Sequence, residues 1–217
     1  MHAVVVAHGD LGTDDAWVTE QLDRASLVIA ADGGARAVWA LGRCPMAVVG
    51  DLDSFDPALR SAMEARGCVF ETHVREKDQT DTELALLLAC RSGATSIDVL
   101  GALGGARLDH TLANVLLLAH PDLAGVRVTL RDAQHEVCLL RGPSSLAIDG
   151  RPGDLVTLLP LSEEASGIET HGLLYPLHDG ALQRGRGRGV SNELTGRRAA
   201  VGVRQGLLLV VVHHPAP

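Results

Sequence analysis

The chain has 217 residues, enough for one large domain or two small ones. Its residues are 46% hydrophobic but only 2% aromatic, so its core must consist of Val, Leu, Ile and Ala. A formal net charge of −8 argues against a nucleic acid as the main partner, because that partner requires a basic surface. The apolar runs are too short for a membrane span, and the widely spaced cysteines favour free thiols in the cytoplasm.

The first half of the chain alternates between apolar strands and helices. Strands are predicted over 3–7, 27–31, 45–49, 68–72 and 96–100, and helices over 14–24, 35–41, 57–67, 82–91 and 109–120. Continuous apolar strands separated by helices indicate a parallel sheet covered on both faces. Polar residues follow these strands, and open α/β sheets bind ligands at the carboxyl ends of their strands.

The second half contains short β-type runs and no convincing helix. The runs cover 126–130, 136–140, 145–148, 155–159, 199–204 and 207–212. Turn residues separate the runs, a pattern typical of an antiparallel sandwich or barrel. We therefore predict an N-terminal parallel-sheet α/β domain over residues 1–130 and a C-terminal antiparallel β-sandwich domain over 131–217. The first one or two runs could still belong to the α/β sheet.

Two carboxylates, Asp51 and Asp53, directly follow one of the predicted buried strands. Alternate side chains of an extended segment point the same way, so both carboxylates can share a face. Neighbouring carboxylates repel each other unless a cation lies between them, and Mg²⁺ suits hard oxygen ligands and substrate phosphates. The alternative is an Asp-rich turn that caps the helix beginning near Pro57.

Acidic residues follow four of the predicted strands. They are Asp32, the pair Asp51 and Asp53, the pair Asp78 and Asp81, and Asp109. Independent helix N-caps explain Asp81 and Asp109 well, because carboxylates favour the N-terminus of a helix. N-capping explains Asp32 and the pair Asp51 and Asp53 less well. Four acidic loops at one edge of a sheet repel each other without cations, which favours a metal site.

Two glycine pairs and nearby cationic side chains indicate a phosphate ligand. Gly33-Gly34 and Gly104-Gly105 allow close backbone approach at helix N-termini, where free N–H groups bind anions. Neither pair forms a dinucleotide-binding or P-loop motif, and a tight turn is the simpler alternative. Arg107 suits a phosphate contact, whereas Lys77 is either a phosphate contact or a surface residue. His110 is as compatible with packing or capping as with catalysis.

Six motifs, taken in order, resemble those of the thiamine pyrophosphokinase family. They are Asp32-Gly33-Gly34-Ala35, Gly50-Asp51-Leu52-Asp53-Ser54, Lys77-Asp78-Gln79-Thr80-Asp81, Gly104-Gly105-Ala106-Arg107-Leu108-Asp109-His110, Gly172-Leu173-Leu174-Tyr175-Pro176-Leu177 and Gly189-Val190-Ser191-Asn192-Glu193. The resemblance covers nearly the whole chain. One position departs from it, because Leu174 stands where the family usually has a lysine.

The resemblance implies transfer of a pyrophosphoryl group from ATP to the hydroxyl of thiamine, with release of AMP. It also implies Mg²⁺ and a homodimer whose active sites lie between subunits, with neither nucleic acid nor membrane as a partner. Asp51, Asp53 and Asp81 would hold the metal and act in catalysis. The expected nucleotide and phosphate residues are Asp32, Gly33, Gly34, Lys77, Asp78, Thr80, Arg107, Asp109 and His110. The expected thiamine residues are Tyr175, Ser191 and Asn192.

Two other functions remain open at the level of sequence. One is a pyrophosphokinase acting on another heterocyclic alcohol, such as a hydroxymethylpterin. The other is a regulator that binds a nucleotide or thiamine without catalysis. The segments Tyr175-Pro176 and Ser191-Asn192 favour thiamine, because they belong to the thiamine-binding half. The full set of carboxylates argues against a regulator, which does not need so many crowded charges.

Overall fold

The structure is a computed structural model of the chain, and it describes residues 1–53 and 55–215. Ser54, a member of the predicted motif around Asp51 and Asp53, lies outside the described residues. The chain divides into two compact units, the first over residues 1–133 and the second beginning at Gln134. None of the helices in the described chain combines the length and the apolar character that crossing a bilayer requires.

The first unit is a parallel sheet with helices between its strands. Its strands are β1 (His2–Val6), β2 (Leu27–Ala31), β3 (Ala47–Gly50), β4 (Val69–Thr72), β5 (Ser96–Leu100) and β6 (Arg127–Arg131). Its helices are α1 (Asp15–Arg24), α2 (Gly34–Ala40), α3 (Pro57–Glu64), α4 (Asp81–Arg91) and α5 (Leu108–Leu117), with a 3₁₀ turn at Pro121–Leu123. The strand order is β6-β5-β1-β2-β3-β4, and every neighbouring pair is parallel. The predicted parallel sheet is confirmed, and β6 belongs to it.

Helices cover both faces of the central strands. Val4 and Val6 of β1 pack with Leu22 of α1 and Val38 of α2 on one face. On the other face α4 packs against β1, β2 and β3, and α5 contacts α4. This double coverage explains why the central strands are continuously apolar in sequence.

The direction of strand order reverses at β1. From β1 the chain proceeds through β2, β3 and β4 on one side, and it then returns to place β5 and β6 on the other. The segment after β1 leads to α1 and the segment after β5 leads to α5, on opposite faces of the sheet. Such a reversal opens a crevice at the carboxyl ends of the two strands, where ligands of α/β folds bind.

The second unit consists of two antiparallel sheets around one apolar core. Its strands are β7 (His135–Arg141), β8 (Ser144–Asp149), β9 (Leu155–Pro160), β10 (Glu164–His171), β11 (Gly180–Gln183), β12 (Asn192–Glu193), β13 (Arg198–Val203) and β14 (Leu207–His213). Within this unit the orders are β12-β9-β14-β7 and β11-β10-β13-β8. Leu158 and Leu208 of the first sheet pack in one cluster with Ile168 and Val201 of the second. The predicted antiparallel β-sandwich is confirmed.

Gly34 allows β1 to pass so close to α2 that a methyl group does not fit between them. A Cβ built on Gly34 lies 2.3 Å from the carbonyl oxygen of Val6 and 3.0 Å from that of Ala7. Because both neighbours are backbone atoms, a Gly34→Ala variant has to shift α2 or β1. We expect its free energy of unfolding, measured by urea denaturation, to fall by about 1–3 kcal/mol, as overpacking typically costs.

Gly125→Ala is the matched control for this variant. No atom lies within 4 Å of a Cβ built on Gly125, and its φ lies outside the left-handed region. We expect its stability to stay within about 1 kcal/mol of wild type, because an alanine fits there and restricts the unfolded chain. Equal stability of Gly34→Ala and wild type would contradict the close approach of β1 to α2.

Candidate active site

A cavity of about 500 Å³ opens at the carboxyl edge of the parallel sheet, where the strand order reverses. Its walls come from the segments that follow β1, β2 and β5 and from the first turns of α4 and α5. The predicted site residues that line it are Asp32, Thr80, Asp81, Arg107 and His110, together with Gly104 and Gly105. Carboxylates, a guanidinium and two helix N-termini therefore meet around one space.

The remaining predicted residues of this unit lie near the same edge but do not line the cavity. They are Gly33, Gly34, Asp51, Asp53, Lys77, Asp78 and Asp109. Asp51 directly follows β3 and is half-buried, whereas Asp53 and Asp78 are exposed. One cavity is therefore lined by part of the predicted set of site residues, and the other predicted residues lie outside its lining.

Asp32 connects the end of β2 with the segment that contains Asp51. Its backbone N–H donates to the carbonyl oxygen of Val49 at 2.9 Å. A Cβ built on Gly50 lies 3.3 Å from the Cβ of Asp32. Asp32 adopts a φ of 43°, a left-handed conformation that is uncommon for a residue with a side chain. Asp32 therefore lies directly beside the backbone that leads into Asp51.

The Gly33-Gly34 pair brings the loop after β1 against the end of β2. A Cβ on Gly33 lies 2.3 Å from Nε2 of His8, so any side chain there displaces the imidazole. His8 Nδ1 in turn lies 3.3 Å from Oδ2 of Asp32, at ion-pair distance when the imidazole is protonated. These contacts give both glycines a packing role next to the cavity, and they place His8 on its wall.

Thr80, not Asp81, is the N-cap of α4. Its Oγ1 accepts a hydrogen bond from the backbone N–H of Glu83 at 3.1 Å. Asp81 is the first residue of the helix, so its carboxylate is available for other contacts. Lys77 Nζ lies 2.8 Å from Asp81 Oδ1, and the Lys77 side chain is only 12% exposed. The Lys77 ammonium is therefore the charged partner of the buried Asp81 Oδ1.

Arg107 and Asp109 form a bidentate ion pair at the start of α5. Arg107 Nε donates to Asp109 Oδ1 at 2.9 Å, and Nη2 donates to Oδ2 at 2.6 Å. These hydrogen bonds lower the pKa of Asp109 to about 2, so the pair stays ionised at neutral pH. Arg107 is the N-cap residue of α5, and its side chain makes no capping hydrogen bond. The N-terminus of α5 therefore offers a positive dipole end to an anion in the cavity.

The carboxylates around the cavity do not form a complete metal cage. Within residues 1–53 and 55–215, no three His, Cys, Asp or Glu side chains come close enough to bind one ion. Mg²⁺ often takes only one or two carboxylates and completes its shell with water and substrate phosphates. Asp81 lines the cavity and Asp51 and Asp53 do not, so an ion bound beside Asp81 would need further ligands from water or a phosphate.

Several cavity residues were not predicted from the sequence, among them three polar side chains. His8 and Asp10 follow β1, and Asn114 lies on α5. Asn114 is 7% exposed, and its Nδ2 donates to the carbonyl oxygen of Ala102 at 3.1 Å. The segment His8-Gly9-Asp10 follows a buried strand, as the four predicted acidic loops do. Its position in the sequence could therefore have marked it as part of the site. Asn114 lies four residues after the predicted His110, a helical spacing that places both on one face of α5.

The predicted thiamine residues form a cluster of their own in the second unit. Asn192 Oδ1 accepts from the backbone N–H of Tyr175 at 3.0 Å, and its Nδ2 donates to the carbonyl oxygen of Tyr175 at 2.7 Å. Ser191 adopts a φ of 59°, and its N–H donates to Oγ1 of Thr157 at 3.0 Å. The two segments that the sequence separates by more than a dozen residues are therefore in direct contact.

A parallel α/β unit with carboxylates, an arginine and helix N-termini at its switch point is typical of enzymes that bind nucleotide phosphates. Comparison with known families gives the particular one. The family model "Thiamin pyrophosphokinase, catalytic domain" matches residues 18–130, and "Thiamin pyrophosphokinase, vitamin B1 binding domain" matches residues 145–208. The chain belongs to the thiamin pyrophosphokinase family.

Individual relatives agree with this assignment. Thiamine pyrophosphokinase of Bacillus subtilis is 28% identical over 195 residues, which are 89% of this chain and 90% of the relative. Thiamine pyrophosphokinase 1 of Oryza sativa subsp. japonica is 26% identical over 187 residues, covering 75% and 70%. The crystal structure of the Bacillus subtilis enzyme has a TM-score of 0.87 at 27% identity over both whole chains. Thiamin pyrophosphokinase from Candida albicans shares the fold, with a TM-score of 0.79 at 17% identity over 99% and 89%.

The Thr80 cap is expected to contribute measurably to the stability of the first unit, because α4 packs against three strands. Thr80→Ala removes the oxygen that accepts from the N–H of Glu83. We expect the free energy of unfolding in urea to fall by about 1 kcal/mol, the usual effect of losing an N-cap. Thr80→Ser retains the oxygen and should differ from wild type by less than about 0.5 kcal/mol. Equal losses in both variants would rule out the cap as the cause.

Proposed function

We propose that the chain transfers a pyrophosphoryl group from ATP to the hydroxyl of thiamine, yielding thiamine pyrophosphate and AMP. One observation carries this proposal: the two units match, in order, the catalytic and the vitamin B1 binding domains of a single family. The cavity in the first unit supports it, because its wall combines groups that suit a triphosphate. Ligand pockets typically measure about 300–1,000 Å³, and this cavity, at about 500 Å³, falls within that range.

The proposed position of ATP is the cavity at the strand-order reversal. Arg107 and the uncapped N-terminus of α5 supply positive charge for the phosphates. Gly104 and Gly105 have φ values of 78° and 93°, and a Cβ built on Gly104 meets no atom within 4 Å. The backbone at Gly104 is thus open to a phosphate. Asp109 holds the Arg107 guanidinium in place through its two hydrogen bonds.

We propose Mg²⁺ as the cofactor, with Asp51, Asp53 and Asp81 as the residues that hold it. When bound, the ion neutralises phosphate oxygens and orients the triphosphate. Lys77 positions the Asp81 side chain through the 2.8 Å ion pair, which also offsets the negative charge of the edge. The position of Asp81 supports this assignment, because it is the first residue of α4 and lines the cavity proposed for ATP.

The reaction needs mainly placement and charge from the protein. The oxygen of the thiamine alcohol forms a bond to the β-phosphorus of ATP while the bond from that phosphorus to the α–β bridging oxygen breaks. AMP leaves with the bridging oxygen, and the alcohol proton passes to a base. Asp81 is the proposed acceptor, unless its role is limited to binding the metal. Thiamine is cationic, so the acidic edge also favours its approach.

The second unit is the proposed thiamine-binding and dimerisation domain. Tyr175, Ser191 and Asn192 support the first role, because they lie together and Tyr175 is 68% exposed. We further propose a cytoplasmic homodimer with active sites between subunits. The four cysteines are free thiols, which is typical of a reducing compartment.

An apolar stripe on α5, in the first unit, supports the proposal that this unit also contributes to self-association. Leu108, Leu112 and Leu116 are 70%, 56% and 61% exposed, and their spacing of four residues places them on one face of the helix. Exposed apolar stripes of this kind are usually covered in an assembly. A two-fold axis through Leu112 pairs Leu108 of one copy with Leu116 of the other, so the pattern is self-complementary.

The test of the function is the identity of the products. With ATP, Mg²⁺ and thiamine we expect equal amounts of AMP and thiamine pyrophosphate, measured by chromatography. Asp81→Asn removes one charge at constant size and should lower kcat by about 100-fold, the scale of a misplaced reacting group. Asp23→Asn is the control, because Asp23 forms an exposed ion pair with Arg43 away from the cavity. ADP as the product, no turnover, or full activity of Asp81→Asn would contradict the proposal.

The test of the dimer is sedimentation equilibrium of a Leu112→Asp variant. A charge at the centre of the α5 stripe should convert dimers into monomers, because it faces its own copy across the axis. Val74→Asp is the control, since Val74 is equally apolar, 72% exposed and outside α5. A dimer that persists in Leu112→Asp, or a wild-type monomer, would exclude this surface.

A further inference from the structure

Asn192 holds the backbone of Tyr175 on both sides. Its Oδ1 accepts from the N–H of Tyr175 at 3.0 Å and from the N–H of Glu193 at 2.9 Å. Its Nδ2 donates to the carbonyl oxygen of Tyr175 at 2.7 Å. A primary amide can accept two hydrogen bonds and donate two, so three of the four positions are already filled within the protein. A single N–H remains for any ligand.

We call the two hydrogen bonds between the Asn192 amide and the Tyr175 backbone the clamp. The clamp continues a short antiparallel pairing of two segments. Leu173 pairs with Leu194, and the N–H of Leu174 donates to the carbonyl oxygen of Glu193 at 2.9 Å. At Tyr175 the amide of Asn192 takes the place of the partner backbone. The following residue is Pro176, which has no N–H, so the ladder cannot extend further. Tyr175 is thus the last residue that this pairing can hold.

The position of Asn192 is itself rigid. Asn192 pairs with Val156 of β9, a residue that is fully buried. The neighbouring Ser191 is held through its backbone N–H by Thr157 Oγ1. Within residues 1–53 and 55–215, the Ser191 hydroxyl forms no hydrogen bond, which distinguishes it from the occupied amide of Asn192. Its pairing with β9 therefore fixes Asn192, and Asn192 in turn fixes the backbone of Tyr175. The hydroxyl of Ser191, by contrast, is free to bind a ligand.

The ring of Tyr175 is large, exposed and mounted on an ordered backbone. It is 68% exposed, and the preceding residue, Leu174, is 48% exposed. Proline at 176 also restricts the backbone of Tyr175 to extended conformations. An aromatic face fixed in this way suits a flat or cationic heterocycle, through stacking and cation–π attraction.

We propose that Asn192 is a positioning residue that acts on the substrate through Tyr175 instead of contacting it directly. The inference rests on the proposed function, because the substrate concerned is thiamine. Tyr175 provides the aromatic surface, and Asn192 keeps that surface in its binding orientation before the substrate arrives. Loss of the clamp therefore weakens thiamine binding and leaves ATP binding and the chemical step nearly unchanged.

The first experiment observes the clamp itself. Tyr175 is the only tyrosine of the chain, so labelling with ¹⁵N-tyrosine gives a single backbone amide signal in NMR. That N–H is the donor to Asn192 Oδ1. We expect Asn192→Ala to accelerate its hydrogen exchange by about tenfold or more, because the bond that protects it is lost. An unchanged exchange rate would overturn the proposal.

The second experiment asks whether Asn192 acts through Tyr175, by means of a double-mutant cycle. Asn192→Ala and Tyr175→Ala should each raise the KM for thiamine by about tenfold, with kcat and the KM for ATP within about twofold. The double variant should resemble Tyr175→Ala alone. If the two effects multiply, the remaining N–H of Asn192 contacts the substrate independently, and the proposal is wrong.

Ser162→Ala is the matched control for both experiments. Ser162 Oγ donates to the carbonyl oxygen of Glu164 at 2.6 Å and accepts from the N–H of Leu207 at 2.9 Å, a similar link between side chain and backbone at another turn. It should change neither the Tyr175 signal nor the KM for thiamine. If no AMP forms at all, the proposed function is contradicted, and so is the role of Asn192 in thiamine binding. If AMP forms but exchange is unaffected in Asn192→Ala, the clamp alone is refuted.

Discussion

The candidate site depends on backbone segments that approach each other more closely than side chains allow. A Cβ on Gly9 would lie 2.1 Å from the carbonyl oxygen of Gly101, and one on Gly34 would lie 2.3 Å from that of Val6. These contacts join the loop after β1 to the loop after β5 and to the start of α2. Because the loops are held at backbone distance, the cavity is bounded by main-chain groups and short polar side chains. Phosphate recognition relies on both kinds of group.

The first unit was predictable because its central strands are buried on both faces. Such strands are continuous apolar runs, so β2 was predicted with its observed bounds, Leu27–Ala31, and the predicted start of α4 differed by only one residue. In the second unit the prediction missed β10 (Glu164–His171), β11 and β12. Gly167 has a φ of 62°, and the pairing of β10 with β11 shifts between Ser166 and Ile168. A bulge of this kind interrupts the alternation on which strand prediction relies.

Sequence patterns placed acidic residues at strand ends but did not identify their partners. The ion pair of Arg107 with Asp109, and the capping of α4 by Thr80 in place of Asp81, depend on local geometry that residue types alone leave open. His8 was missed because its contact with Asp32 joins two strands whose adjacency follows from strand order. Left-handed backbone at Asp32, Leu52 and Ser191 falls within predicted motifs, as expected where function tolerates strain.

The contact between position 33 and position 8 limits how this family member can diverge. The imidazole of His8 occupies the space that a methyl group on residue 33 would require. A larger residue at 33 is therefore compatible with the fold only when the His8 side chain, which is 72% exposed, turns away or is replaced by a smaller one. Either change alters the contact of His8 with Asp32, so the residue types at positions 8 and 33, 25 residues apart in the chain, should be correlated in related sequences.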